Sequence, residues 1–271
     1  MNKIGVCSWI LGIEDPHKLM EKVKLLNLDG IQFSGDWRNY DAKEIRAAAD
    51  HFEIEIFAID PYNCAPPILE EANKSSAIEF YKKMIDFAVE TDVPVVTLQG
   101  LAQWTINCPN AEESWSMLVE CCKTLDAYAQ LKKVKLAYEC VNRYESTMIH
   151  TVSKGLDLIN AVGHNNFRLI LDSFHMHIEE SDPIQAIKEA SDFMFSYQIS
   201  DSNRSGIGRG QVDFVNHHAV LEELNFEGTI MIEVVLPELV PNTTPQTPSQ
   251  LERLDEEIRR SARVWRNLKE N

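Results

Sequence analysis

The chain has no apolar run approaching the roughly 20 residues that span a bilayer, so nothing in it implies a membrane. Its six cysteines, Cys7, Cys64, Cys108, Cys121, Cys122 and Cys140, include no CxxC pair and no zinc-knuckle spacing, and read mostly as buried thiols. No GxGxxG follows the first apolar run and no GxxxxGK[ST] occurs anywhere. Neither a dinucleotide nor a nucleoside triphosphate therefore has its usual cradle. A basic stripe is missing too: 26 Lys and Arg stand against 42 Asp and Glu, a formal net charge of -16 that repels phosphate backbones and excludes nucleic acid as the expected partner. The N-terminal MNKIGVCSWI shows neither a separate long apolar segment nor a small-residue cleavage site, so a cytoplasmic location is expected.

What is present is alternation. Short apolar runs of strand type are expected over residues 4–9, 30–33, 54–59, 95–98, 134–139, 167–171, 195–199 and 229–232. Amphipathic stretches of helical period follow them over 16–26, 42–51, 75–90, 112–130, 147–161, 182–190, 214–224 and 251–268. Eight strand–helix pairs are the number that closes a parallel (β/α)8 barrel, whereas an open doubly wound sheet typically stops at about five to seven strands. With 271 residues the chain suits one such α/β barrel, a single domain over 1–271. The stretch 237–248, rich in Pro and Thr, is expected to be a long irregular loop, either a lid at the barrel mouth or a plain surface excursion.

Chemistry in such barrels is delivered at the C-terminal ends of the strands. The run FRLILDSFHMHIEE drops from an apolar strand straight into Asp172, with His175 close behind. Asp172 alone reads equally well as a helix N-cap. Other strands end similarly: VKLAYE in Glu139, FSYQ in Gln198, and TIMIE in Glu233, which is flanked by apolar residues. A carboxylate in an apolar strand is costly to bury unless it is paired or binds a metal. A structural salt bridge explains any one of these; four oxygen donors at one mouth point to a divalent cation, Mn²⁺ first, with Mg²⁺ or Co²⁺ as alternatives. Such an ion polarises a carbonyl and stabilises the enediolate formed when a neighbouring proton leaves, and two of the carboxylates would serve as base and acid.

Glu139 with VNRYE, Asp172 with FHMHIEE, the SDSNR segment with GIGRGQVDF, and Glu233 together resemble the sugar phosphate isomerase/epimerase superfamily of xylose isomerase-like TIM barrels. Within it the pattern is similar to metal-dependent ketose 3-epimerases of the tagatose/psicose type. The resemblance implies that Glu139, Asp172 and Glu233 are metal ligands, with Glu139 and Glu233 doubling as the proton-transfer pair. It implies that Glu145, His175 and Arg204 hold the substrate's hydroxyls and carbonyl. It also implies a homo-oligomer. Where these epimerases usually carry a histidine at the end of strand seven, this chain has Gln198, a neutral oxygen donor expected to coordinate more weakly.

Other candidates stay open between roles. His175 reads either as a substrate contact or as support behind a ligand, and His177 as a surface residue. Trp9, Trp37, Tyr62 and Trp104 lie near the ends of strands one to four, where they would either stack on a sugar or aglycone or pack the core. A second outcome for the same proton abstraction is elimination from a 3-keto-glycoside, a lyase reaction commonly served by a small accessory subunit. A DNA-repair endonuclease on a related barrel would need more histidines at the strand ends and a basic face.

Overall fold

The computed structural model describes residues 2–61, 64–163, 166–239 and 243–268. Its strands are β1 Ile4–Cys7, β2 Gly30–Ser34, β3 Glu55–Asp60, β4 Val95–Thr97, β5 Lys135–Glu139, β6 Phe167–Asp172, β7 Met194–Ile199 and β8 Thr229–Ile232. Each pairs in parallel with its sequence neighbours, and β8 returns to β1, closing the barrel. The helices are α1 Pro16–Leu25, α2 Ala42–Phe52, α3 Lys74–Glu90, α4 Ala111–Lys132, α5 Val152–Val162, α6 Ser173–Glu179, α7 Pro183–Ala190, α8 Phe214–Glu223 and α9 Pro248–Asn267.

Local chemistry sets the helix starts. Asp15, Asp41, Asn73, Asn110, Thr151, Asp182, Asp213 and Thr247 each accept a backbone N–H of the first turn, satisfying donors that the helix itself cannot. Pro16, Pro183 and Pro248 stand just inside their helices, where a missing N–H costs nothing. Two differences from the sequence expectation matter for the site. The α5 helix starts at Val152, because the segment before it is taken into turns in which Asn142 Oδ1 accepts from Tyr144 N and Val141 N donates to the Ile149 carbonyl. The α6 helix follows β6 with no intervening loop and carries His175 inward and His177 outward.

Alternation along the strands divides the core. Ile4 and Val6, Leu169 and Leu171, Tyr197 and Ile199, and Ile230 and Ile232 join the large cluster beneath the helices. Cys7, Ala137, Ile170 and Met231 face the other way and form two small clusters within the barrel. The rings of Phe57 and Phe195 complete that plug. Gly5 and Gly30 make room for it, since a Cβ on either would come within 2.7 Å of the Phe57 ring. Both aromatic residues sit where the pairing slips by one residue: Ile31 pairs Ile56 but Gln32 pairs Ala58, and Leu169 pairs Met194 but Ile170 pairs Ser196. Beyond each slip the strand's polar end, Asp60 on β3 and Gln198 on β7, faces the barrel mouth while Ile59 and Tyr197 join the helix-facing core.

Candidate active site at the mouth of the barrel

Glu139 closes β5, Asp172 closes β6, Gln198 lies on β7 in register with Asp172, and Glu233 follows β8. Asp172 is fully buried, and Glu139 and Glu233 are each 6% exposed. Asp172 uses its two oxygens differently: Oδ1 accepts from Phe174 N at 2.7 Å as the cap of α6, while Oδ2 is turned toward Arg204. Arg204 arrives from the loop after β7 and donates to Asp172 Oδ2 at 2.5 Å and Glu233 Oε2 at 3.1 Å. Its backbone takes a left-handed φ of 64°, held because its N–H donates to the Asp201 carbonyl and its carbonyl accepts from Val235 N, both at 2.7 Å. That strained residue is how the loop delivers a guanidinium between two carboxylates.

The other side of Asp172 is built by α6 and the turn after β5. His175 Nδ1 accepts from the Asn142 amide at 2.7 Å, which assigns the proton to Nε2 and aims it at Glu139 Oε1, 3.5 Å away. Asn142 also donates to Glu145 Oε1 at 2.9 Å, so one buried amide ties together two residues the sequence marked separately. Trp9 Nε1 donates to Glu233 Oε1 at 2.5 Å. Gln198 satisfies its surroundings when its amide nitrogen points to Glu233 Oε2 at 2.6 Å and Asp172 Oδ2 at 3.3 Å. In that orientation it is a donor to the carboxylates, and serving as an oxygen ligand requires its amide to turn over.

Burial, reinforced by Glu233 and Asp172, pushes the Glu139 carboxyl well above its usual range. Burial likewise raises Glu233, to about 8, with Arg204 opposing. Burial acts in the same sense on Asp172, but Arg204 and His175 outweigh it and hold that carboxyl below its ordinary value. His175 is lowered to about 4 by burial and is neutral at pH 7. Three buried carboxylates thus share one guanidinium, leaving two negative charges uncompensated when all are ionised. Ligand atoms of Glu139, Asp172 and His175 lie within 4.8 Å of one another. A divalent cation matches both the charge deficit and the carboxylate oxygens of Glu139, Asp172 and Glu233, so the residues fit the metal.

Most of the other sequence candidates gather here, and some do not. Glu145, His175 and Arg204 surround the cluster, and Trp9 joins it through Glu233. Trp104, in the short helix after β4, donates its N–H to the Cys64 carbonyl at 2.7 Å and packs its ring on Phe80. Trp37 packs on Phe80 as well, His177 is exposed, and Tyr62 falls outside the described residues. Asn142 was not singled out from sequence, although an Asn three residues past the end of a strand, able to accept the N–H two residues on, is an Asx-turn signal. A cavity of about 500 Å³ opens beside Trp9, lined also by Ser34, Tyr40 and Thr244.

A closed parallel barrel with buried acid groups at the C-terminal ends of its strands is the layout of a TIM-barrel enzyme. The family model described as xylose isomerase-like TIM barrel matches residues 20–268, and the chain belongs to that family. It is 27% identical over 267 residues to the L-ribulose 3-epimerase of Methylomonas sp. strain DH-1, covering 87% of this chain and 88% of that one. It is also 27% identical over 163 residues to the D-psicose 3-epimerase of Ruminiclostridium cellulolyticum, covering 59% of this chain and just over half, 56%, of that relative. The crystal structure of D-psicose 3-epimerase with D-tagatose from Clostridium cellulolyticum H10 superposes with a TM-score of 0.83 at 22% identity, covering 99% of this chain and all of that one.

Proposed function

We propose that the protein is a divalent-metal-dependent sugar isomerase or epimerase of the ketose 3-epimerase type, acting on a neutral small sugar in the cytoplasm. The observation that carries this reading is the pair of buried glutamates, Glu139 ending β5 and Glu233 following β8, both with raised proton affinity and flanking Asp172 of β6. Glu139, Asp172, Glu233 and a turned Gln198 would hold the cation, with His175 beside Glu139. Bound there, Mn²⁺, Mg²⁺ or Co²⁺ supplies Lewis acidity toward the sugar carbonyl and its neighbouring hydroxyl.

The chain's own residues account for the proton. One glutamate, ionised, takes the C3 proton onto a carboxylate oxygen, and the electron pair left at C3 passes to the carbonyl oxygen as an enediolate. The other glutamate, protonated, returns a proton to the opposite face, which inverts C3. A raised carboxyl pKa suits both tasks, since each group must change state near neutral pH. Trp9 and Arg204 fix the two oxygens of Glu233 and so set its plane. Glu145, His175 Nε2 and Arg204 are placed to hold hydroxyls and the carbonyl. Glu139→Gln and Glu233→Gln should each lower C3 epimerisation and solvent deuterium uptake at C3 by about 100-fold or more. Retention of both activities in either variant overturns the assignment.

The cavity beside Trp9 favours one second reading. Space next to the residue that holds Glu233 is room for an aglycone, so abstraction at C2 of a 3-keto-glycoside followed by elimination fits the same groups. Incubation with a 3-keto-glycoside and with free ketoses separates the two, because only elimination releases an aglycone.

A further inference from the structure

Across the mouth from the carboxylate cluster stands a fourth acid group that the mechanism does not use. Asp60 ends β3, is partly open to the mouth, and lies in register with Ser34 of β2. Its Oδ1 accepts from Thr97 Oγ1 at 2.5 Å and Gln99 Nε2 at 2.9 Å, and Gln32 adds a third side-chain hydrogen bond. Among the described residues no cation pairs with it. Asp172 and Glu233, by contrast, share Arg204. Asp60 nevertheless borders the same space, since its charge acts on Glu139 and on Cys7, the buried thiol that also feels Glu233 and Asp172.

The surroundings of Asp60 have acceptors left over. Gln99 spends its amide nitrogen on Asp60, which turns Oε1 away; that buried oxygen has no partner, nor do Gln32 Oε1 and Ser34 Oγ. Gln32 is 2% exposed, so its oxygen has little water to turn to. A buried polar atom without a partner is costly, and a ligand that supplies the missing donors recovers that cost. Burial raises the Asp60 carboxyl above its ordinary value while hydrogen bonds from Thr97, Gln99 and Gln32 oppose it. The carboxyl oxygens and two bare amide oxygens outnumber the one free donor nearby, the Ser34 hydroxyl, so the surface is short of hydrogen-bond donors. Sugar hydroxyls are donors, whereas phosphate and carboxylate groups bring only acceptors and negative charge.

We infer that Asp60, with Gln32, Ser34, Thr97 and Gln99, forms a hydroxyl-binding subsite that holds the end of the sugar remote from its carbonyl and selects an unphosphorylated polyol over a sugar phosphate. This rests on the proposed sugar chemistry at Glu139, Asp172 and Glu233. A sugar whose carbonyl edge lies against β5 to β8 extends its far hydroxyls toward β2 to β4, where the spare acceptors are.

The test measures Kd by calorimetry on Mn²⁺-loaded full-length protein, with a ketohexose, its 6-deoxy analogue and its 6-phosphate, alongside C3 deuterium exchange. Wild type should bind both the 6-deoxy sugar and the 6-phosphate about 10- to 100-fold more weakly than the parent. Asp60→Asn should weaken the parent by a similar factor and no longer distinguish it from the 6-deoxy analogue. Ser34→Ala, which removes the free hydroxyl and leaves the hydrogen bonds of Asp60 intact, should lose affinity for the parent in the same direction and guards against a folding defect in Asp60→Asn. Equal discrimination by wild type and Asp60→Asn overturns the subsite, as does a wild type that prefers the 6-phosphate or binds none of the three sugars. Asp60-dependent binding without exchange would sink the epimerase reading and leave the subsite standing. Exchange with binding indifferent to Asp60 does the reverse.

Discussion

Gln198 is where the site departs from the epimerase pattern it resembles, and its surroundings use it as a donor to Glu233 and Asp172. A neutral amide that must turn over before it coordinates is a weaker ligand than imidazole for a transition metal. Gln198→His should therefore tighten Mn²⁺ or Co²⁺ binding by about tenfold, read by titration of the metal-free protein. An unchanged or weaker affinity shows that Gln198 is not a ligand position. At this scale the sequence disclosed the residues whose chemistry conflicts with their neighbours: Glu139, Asp172 and Glu233 are acids ending apolar strands. Asp60 escaped notice because it precedes Pro61 and reads as the start of a turn. Asn142 escaped because its importance lies in bridging His175 and Glu145, residues 33 and 3 positions away.

Among the elements, the two one-residue slips at Phe57 and Phe195 matter most. Uninterrupted alternation from Ile56 or Met194 would turn Asp60 and Gln198 toward the helices, whereas the extra residue returns them to the mouth. The link between β7 and α8 carries a separate consequence. Tyr197 hydroxyl bonds His217 Nδ1, and burial, partly opposed by Asp213 and reinforced by His177, lowers His217 to about 4. Its unfolded pKa is 6.5, so the unfolded chain binds the proton first as pH falls. Stability from this residue is whole above about pH 6.5 and is lost between about 6.5 and 4, on the order of 3 kcal/mol in all. Urea unfolding at pH 7.5 and pH 5 should show about 2 kcal/mol of that loss in wild type and a smaller one in His217→Gln. His175, also lowered to about 4, accounts for part of the remainder.

For the molecule as a whole, barrel closure concentrates acid groups at one end of a chain already carrying a net charge of -16. A cation that binds only the closed barrel stabilises it: at about 100 times Kd the gain is about 2.7 kcal/mol. For a chain of this size that corresponds to a rise in Tm of about 5–10 °C, reversed by chelation. A Tm indifferent to Mn²⁺, Mg²⁺ and Co²⁺ alike would show that Asp172 and Glu233 need no counter-ion beyond Arg204.

The sequence by itself determined the barrel, because eight apolar runs alternating with amphipathic stretches have few other ways to bury their faces. It also determined that acids end three of the strands, since an ionisable residue in an apolar run announces itself locally. Only the tertiary structure decided which polar residues face the mouth, because strand slips depend on how Phe57 and Phe195 fill the barrel. It alone also set Arg204 between Asp172 and Glu233 and gathered Asp60, Gln32, Ser34, Thr97 and Gln99 into one cluster. Those are contacts between segments far apart in the chain, and no local pattern encodes them.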